Sequence, residues 1–341
     1  MDSLTQIILG AACGEIVLGK KIGNKALLFG AIGGTIPDLD VFIGKLLYNN
    51  EIQAMAFHRG FMHSIFFSIL GAFLFGWLSY QLYNTGVRKE TTTLKNWILL
   101  FFWAIFTHPI LDSFTPYGTQ LFAPITNYRI AFNTISVADP LYTLPFLICM
   151  IAVLFIKRTS TKRMQWTKAG IYISSCYLIF TIGNKIFINT VFKKSYEKAN
   201  INYNRFTAQP TILNNILWYA VAETENEYHF TFYSLLDKSE TANNIITIHK
   251  NHNLIGMTAP NLQTLSWFSN GYFNIYKRDK TGTYKYVDLR YPPLNPDDVK
   301  TSVFNFTVFH KNNEWDILPF MGKAPKKEDF KLFLARIKGI N

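Results

Sequence analysis

The stretch SIFFSILGAFLFGWLSYQLY, residues 64–83, contains 20 residues and no charged side chain. An α-helix needs about 20 apolar residues to cross the hydrocarbon core of a bilayer. This stretch therefore predicts a transmembrane helix. Five further apolar segments occur at 3–18, 26–36, 97–111, 138–156 and 166–187. Together they predict a membrane α-helical bundle of about six apolar helices, of which the first two are short.

The first two apolar segments are rich in glycine, with Gly10, Gly14, Gly30, Gly33 and Gly34. Small residues allow helices to approach closely inside a membrane bundle. We therefore expect these two helices to be half-spanning or buried within the bundle.

Composition and charge support a membrane protein. Only 16% of the 341 residues are charged, whereas soluble domains contain about 25%. The net charge of +12 arises in part from basic loops at 20–25, 88–95 and 157–168. If every segment crosses the membrane, these loops share one face, which the positive-inside rule makes cytoplasmic. We therefore expect a multi-pass protein of the bacterial inner membrane and no nucleic-acid partner.

Residues 193–341 differ from the preceding residues in composition. Asn, Thr, Lys and Tyr become frequent, and strand-like runs occur at 216–223, 228–236, 245–249, 271–277, 284–291 and 303–310. Hairpin turns are predicted at 279–282 and 311–314, and a helix at 326–338. The sequence thus predicts an integral-membrane domain, 1–192, and a soluble β-rich α+β domain, 193–341. The topology places the second domain outside the cytoplasm.

Three clusters of metal-capable side chains lie at the ends of apolar segments. Their sequences are PDLD (37–40), HRGFMHS (58–64) and HPILD (108–112). Ionisable groups at membrane depth are costly and therefore usually functional. His and Asp are common ligands of zinc and related divalent ions. Since the predicted topology puts all three clusters on one face, we expect a divalent metal site, with zinc as the expected ion. The candidate ligands are Asp38, Asp40, His58, His63, His108 and Asp112.

The spacing within the clusters predicts their local structure. His108 and Asp112 are four apart and would share one face of a helix. Pro109 predicts either a helix boundary or a new helix that opens at that residue. His58 and His63 are five apart, which favours a loop that leads into the third helix, with Ser64 as its cap.

Other polar residues are candidates for catalytic work. Asp38 or Asp40 would complete the metal shell or act as a base, and Arg59 would bind an anionic group of a substrate. Glu15 is either a buried ligand or base, or the partner of a basic loop residue. Asp139 is either a partner that orients a ligand histidine or a helix cap.

These motifs resemble the YdjM-like family of membrane-bound metal-dependent hydrolases, also described as LexA-binding, inner-membrane-associated proteins. The matching stretches are MDSLTQ (1–6), TIPDLD (35–40), HRGFMHS (58–64), HPILDSFTPYGTQLF (108–122) and ADPLYTLP (138–145). That family is similar in turn to zinc-dependent phospholipase C-like proteins. The resemblance implies a hydrolase whose metal site includes the six residues named above. Many members of the family carry His at the position of Gln6.

Two classes of function follow. The first is a membrane-bound metal-dependent hydrolase that acts on a lipid or a lipid-linked ester or phosphoester. The second is a non-enzymatic membrane anchor with a structural metal site, which presents the β-rich domain as an envelope-binding module. A transporter is less favoured, because the long apolar segments carry few polar residues at their centres.

Overall fold

The computed structural model describes residues 1–278, 282–293, 302, 304–312, 314–319 and 327–340. Its contacts divide the chain into two compact units. The first contains residues 1–43 and 57–182, and the second contains residues 44–56 and 183–341.

Helices form most of the first 198 residues, of which 44–56 and 183–198 belong to the second unit. In chain order the helices up to residue 198 are α1 (Ser3–Ile22), α2 (Asn24–Thr35), α3 (Asp40–Leu47), α4 (Glu51–Phe57), α5 (Ile65–Tyr83), α6 (Leu94–Asp112), α7 (Pro140–Phe155) and α8 (Thr161–Lys198). Short 3-10 turns at Ile36–Leu39 and Phe61–His63 precede α3 and α5. All six apolar segments of the sequence are helical, which confirms the predicted bundle.

Five helical segments of the described chain are long and apolar enough to cross a membrane. They are α1, the α2–α3 segment from Asn24 to Leu47, α5, α6 and α8. Helix α7 is apolar but shorter. Helix α1 extends beyond its predicted end at residue 18 and closes with Lys20 and Lys21 in its last turn. Cations are favourable at this end of a helix because they oppose the negative end of its dipole.

Helix α5 carries its large apolar side chains on its exposed surface. Phe73, Trp77 and Leu82 are 58%, 49% and 75% exposed, whereas Gly71 and Ala72 are buried. A helix in water would bury the large apolar residues instead. This inverted pattern is what a membrane-spanning helix requires, since lipid is as apolar as the side chains themselves.

Helices α1 and α2 pack through their glycines, as the sequence predicts. A Cβ atom built on Gly30 would lie 2.2 Å from the carbonyl oxygen of Gly10, and one on Gly34 would lie 2.4 Å from that of Gln6. Real Cβ contacts are not this short, so only glycine permits this backbone spacing. The two helices therefore lie in direct backbone contact beside the cluster that contains Asp38.

Helix starts are fixed by side-chain caps. The Ser64 hydroxyl accepts the Phe67 N–H group at 3.0 Å at the start of α5, which confirms the predicted cap. The Asp139 carboxylate accepts the Leu141 N–H group at 3.0 Å at the start of α7. Such caps stabilise a helix by roughly 1 kcal/mol. Each cap therefore sets the boundary between a helix and the polar segment that precedes it.

The second unit contains two four-stranded antiparallel sheets. The first has the order β1 (Arg205–Pro210), β2 (Leu217–Glu223), β3 (Glu227–Ser234) and β4 (Ile245–His249), and the second has β5 (Phe273–Lys277), β6 (Tyr284–Asp288), β7 (Asn305–Lys311) and β8 (Glu314–Pro319). Helix α9 (Pro260–Phe268) separates the sheets in sequence, and α10 (Lys327–Ile337) follows them. This confirms the predicted β-rich domain. Residues 279–281, 303 and 313, which belong to the predicted turns and last strand, lie outside the described residues.

The contacts divide the two units within α8, between residues 182 and 183, whereas the sequence predicts a boundary at 192. Helix α8 continues without interruption to Lys198. Its last turns belong to the core of the β-rich unit, where Ile188, Phe192 and Tyr196 pack with Trp218 and Tyr233. The predicted apolar segment 166–187 ends before the helix does. In its last turns α8 buries apolar residues on one face only, so they recur at intervals in the sequence instead of forming a continuous run.

Candidate metal centre

The polar clusters converge at the ends of helices in the first unit. Asp38 lies in the 3-10 turn after α2, and His63 lies in the turn before α5. His108 and Asp112 lie on the last turns of α6. Helix α6 continues through Pro109 to Asp112, so the boundary predicted at that proline is absent. The four side chains therefore come from three separate parts of the chain.

Four donor atoms form a compact group. The Nε2 atoms of His63 and His108 are 3.2 Å apart, and Asp38 Oδ1 lies 3.4 Å from each of them. Asp112 Oδ2 lies 3.7 Å from each Nε2 atom. All four atoms are within 4.8 Å of one another. Tetrahedral zinc with bonds of about 2.1 Å needs ligand atoms about 3.4 Å apart, so the group has the dimensions of such a site.

The far side of each imidazole ring is held by another group. His108 Nδ1 lies 2.6 Å from the Gly34 carbonyl oxygen, which accepts a hydrogen bond from it. His63 Nδ1 lies 3.0 Å from Asp40 Oδ2. A proton on each Nδ1 leaves each Nε2 as a lone-pair donor, the tautomer that metal ligation requires. Two lone pairs facing each other at 3.2 Å repel, and a cation between them removes that repulsion. The residues therefore fit a metal ion.

Asp40 joins two histidines. Its Oδ1 lies 2.7 Å from His58 Nδ1, and its Oδ2 accepts the Arg59 N–H group at 2.9 Å. Asp40, His58 and His63 also meet the spacing of a metal-binding group. His63 thus belongs to both groups, one through each ring nitrogen. Burial lowers the pKa of His58, although Asp40 opposes this shift.

Asp112 is surrounded by donors. The amino group of Met1 contacts its Oδ1, and Gln6 Nε2 donates to the same atom at 2.8 Å. Arg59 Nε lies 2.9 Å from Oδ2. These contacts hold both carboxylate oxygens of Asp112 beside the two imidazoles. Neither Gln6 nor Met1 was among the candidate site residues of the sequence analysis, although both lie in the MDSLTQ stretch.

Arg59 has contacts other than those expected of a substrate-binding residue. It is 4% exposed, and its Nη1 donates to Thr115 Oγ1 at 2.9 Å. Its guanidinium stacks on the Tyr117 ring, 4.7 Å from the ring centre. The Asp112 carboxylate is thus an anionic partner of Arg59 in this structure. The predicted role of Arg59, binding an anionic group of a substrate, stays a prediction.

Glu15 is not part of the converging group. Its two carboxylate oxygens accept hydrogen bonds from Arg163 at 2.7 and 2.8 Å, and both residues are buried. It follows Gln6 by nine positions on α1, roughly 13 Å along the helix axis. The ion pair matches one of the two alternatives that the sequence left open, a basic partner for Glu15. The catalytic role stays a prediction. Asp139, besides capping α7, accepts the Tyr177 hydroxyl at 2.9 Å.

Access to the site differs among its members. The side chains of His63, His108 and Asp112 are at most 1% exposed, whereas that of Asp38 is 21% exposed and that of His58 is 23% exposed. The donor group is therefore closed on the helix side and accessible from the side where Asp38 and His58 lie.

Comparison with known proteins identifies the family of this chain. The sequence profile described as YdjM inner membrane protein matches residues 1–187, which contain every helix that supplies the site and more than half of the chain. The chain belongs to this family. An uncharacterized protein of Bacillus subtilis (strain 168), YfhP, is 29% identical over 147 residues, covering 41% of this chain and 42% of that protein. No solved structure matches the chain. The family and the apolar helices together assign this YdjM-family protein to the membrane.

Proposed function

We propose that this protein is an inner-membrane, metal-dependent hydrolase that acts on a lipid or a lipid-linked ester or phosphoester. The observation that carries the proposal is the pair of Nε2 atoms of His63 and His108, 3.2 Å apart and accompanied by two carboxylates. Two imidazoles and two carboxylates at tetrahedral spacing suit zinc. The basic loops on the opposite face support an extracytoplasmic site.

The division of labour among the residues follows from their contacts. Asp38, His63, His108 and Asp112 would hold the ion, which when bound supplies Lewis-acid activation of water and of the scissile group. Asp40 and the Gly34 carbonyl orient the two imidazoles. Asp38, as the accessible donor, faces the side from which substrate and water approach. The three buried donors lie behind it.

Asp40 and His58 remain candidates for a more direct role. They were predicted as metal ligands, and with His63 they form the second group described above. A dyad in which a carboxylate holds one imidazole nitrogen is also the arrangement that positions a histidine to move protons. Counting bound ions separates these two roles, because only the first requires a second ion.

The alternative function is a membrane anchor with a structural metal site. The observation in its favour is that four protein atoms occupy the corners of the donor group, and structural zinc sites are typically closed in this way. Catalytic sites keep one position for water. The accessible Asp38 side chain favours the enzyme, because it is the donor that water and substrate reach most easily.

Metal analysis and a substrate screen test the proposal. We expect the detergent-purified protein to contain bound zinc and to hydrolyse ester or phosphoester substrates. His108→Ala is expected to lose both the ion and the activity. His249→Ala, which removes an imidazole that is 81% exposed, is the matched control and is expected to retain both. Full metal content in His108→Ala contradicts the site, whereas metal without any hydrolysis supports the structural alternative.

A further inference from the structure

The segment between α6 and α7 packs against the turn that carries His63. The Gln120 N–H group donates to the Arg59 carbonyl at 3.0 Å, and the Ile65 N–H group donates to the Leu121 carbonyl at 2.9 Å. An antiparallel bridge between Thr119 and Ile130 closes the segment on itself. The segment is thus attached at both sides of His63. Its tip, residues 122–132, ends with Ile130 in the bridge and with the Phe132 N–H group, which donates to the Ser113 carbonyl at 2.8 Å.

The tip presents large apolar side chains outward. Phe122, Ile125, Tyr128 and Phe132 are 51%, 91%, 68% and 52% exposed. Each of them would be costly to leave in water, and the four lie within eleven consecutive residues. Single exposed apolar residues are ordinary, but a group of this kind marks a surface that binds something.

Charge indicates what this surface meets. Residues 113–138 contain no carboxylate, and Arg129 is their only cation. The Arg129 guanidinium turns inward, where it donates to the His58 and Gly118 carbonyls at 3.2–3.3 Å. The outward surface of the tip is therefore uncharged. Soluble partners are usually met by surfaces with a polar rim, whereas an uncharged tip rich in aromatic residues is typical of the lipid headgroup region.

Helix length sets the depth of this surface. Helix α6 contains 19 residues and is therefore about 28 Å long, close to the roughly 30 Å of hydrocarbon that it must cross. It ends at Asp112, and α5, which begins at Ile65, has the same length. The metal donors and the segment that follows them therefore lie at the boundary between hydrocarbon and headgroups.

We propose that residues 122–132 form a membrane-docking tip, whose apolar side chains enter the headgroup region of the same bilayer that the helices span. The occupant of this surface is lipid. The docking itself follows from exposure, charge and helix length. Its consequence rests on the proposed function: the metal site opens toward amphiphilic molecules in the bilayer, so the substrate enters from the membrane.

Fluorescence quenching tests the docking directly. A fluorophore that reports polarity is attached to Ile125→Cys in the full chain, reconstituted in vesicles of phosphatidylethanolamine and phosphatidylglycerol. The exposed Cys176 is replaced by Ser in the background. We expect blue-shifted emission that lipids carrying a shallow spin label quench. Val87→Cys, at a residue that is 101% exposed between α5 and α6, is the control and should be quenched by aqueous iodide.

The outcomes separate lipid from other occupants. Iodide quenching at 125 equal to that at 87 overturns the proposal. Emission that is blue-shifted but insensitive to both quenchers shows a protein contact, either a second copy of this chain or another protein, and also overturns it. Strong quenching by the spin-labelled lipid at 125 alone supports it.

A second measurement tests the consequence for substrate entry. For Ile125→Glu we expect the ratio of the rate on vesicle phospholipid to that on a water-soluble p-nitrophenyl phosphodiester to fall about tenfold, since a carboxylate is costly at this depth. Val87→Glu is expected to leave that ratio unchanged. Lipid quenching at 125 without hydrolysis of either substrate would refute the proposed function but not the docking. Hydrolysis with an unchanged ratio in Ile125→Glu would refute substrate entry from the membrane.

Discussion

Replacing Asp40 by Asn tests whether this carboxylate orients a ligand or is one. Asp40 makes three short contacts, to His58 Nδ1 at 2.7 Å, to the Arg59 N–H group at 2.9 Å and to His63 Nδ1 at 3.0 Å. Asn has the same shape but no charge, and its amide nitrogen replaces one acceptor with a donor. The His63 imidazole then loses the charged partner that fixes its tautomer, while all four donor atoms remain.

The expected magnitude follows from that difference. Loss of an outer partner of a metal ligand lowers metal affinity about 10- to 100-fold, which corresponds to roughly 1.4–2.7 kcal/mol. His108→Ala removes a donor atom and should cost more. Affinity is measured by competition with a zinc chelator in detergent. Asp139→Asn serves as the control, because Asp139 contacts the start of α7 and Tyr177, and its affinity should match that of the unmodified protein.

Two results would refute this reasoning in different ways. An unchanged affinity in Asp40→Asn would show that the carboxylate does not orient His63. A loss as large as that of His108→Ala would show that Asp40 itself binds the ion, which is the role that the sequence predicted.

Three further predictions concern the same unit. His58→Ala should retain one ion per chain in metal analysis, whereas loss of that ion would place His58 among its ligands. Gly30→Ala should lower the thermal midpoint and the folded yield in detergent, because its Cβ would lie 2.2 Å from a backbone oxygen. Gly183→Ala is the matched helical control, because nothing lies within 4 Å of its Cβ, and it should lower neither quantity. Glu15→Gln should destabilise the protein by about 3–5 kcal/mol, because it leaves Arg163 buried without its anion. Adding Arg163→Met should recover part of that loss in stability. Additive losses in the double variant would argue against a stabilising ion pair.

Much of the fold could be predicted because apolar length and periodicity are strong signals. The six apolar segments became helices, and the six strand-like runs correspond to β2 through β7. The strands that the sequence analysis did not identify are β1 and β8. Each is one of the two edge strands of its sheet, and the other edge strands, β4 and β5, were identified. The sequences of β1 and β8, RFTAQP and EWDILP, contain charged residues and proline, which edge strands tolerate. They therefore lack the continuous apolar run that predicts a strand.

The site was predictable in its residue types but not in its division of labour. Membrane-depth His and Asp residues pointed to Asp38, His63, His108 and Asp112, which the structure brings together. Asp38 and Asp40 are two residues apart in the same motif. The 3-10 turn places Asp38 among the four donors and Asp40 against His63 Nδ1, which residue type alone does not predict. The contact of the Gly34 carbonyl with His108 could not be predicted from residue type, because every residue has a backbone oxygen.

Gly34 also couples mechanical and chemical properties of the protein. The same peptide unit lets α2 lie against α1 and supplies the oxygen that holds the His108 ring. A shift of α2 by a few tenths of an ångström would therefore misalign an imidazole as well as loosen a helix pair. By linkage, an ion bound only in the aligned state stabilises that alignment. A substitution that changes the spacing between α1 and α2 is therefore also expected to change the affinity of the protein for its ion.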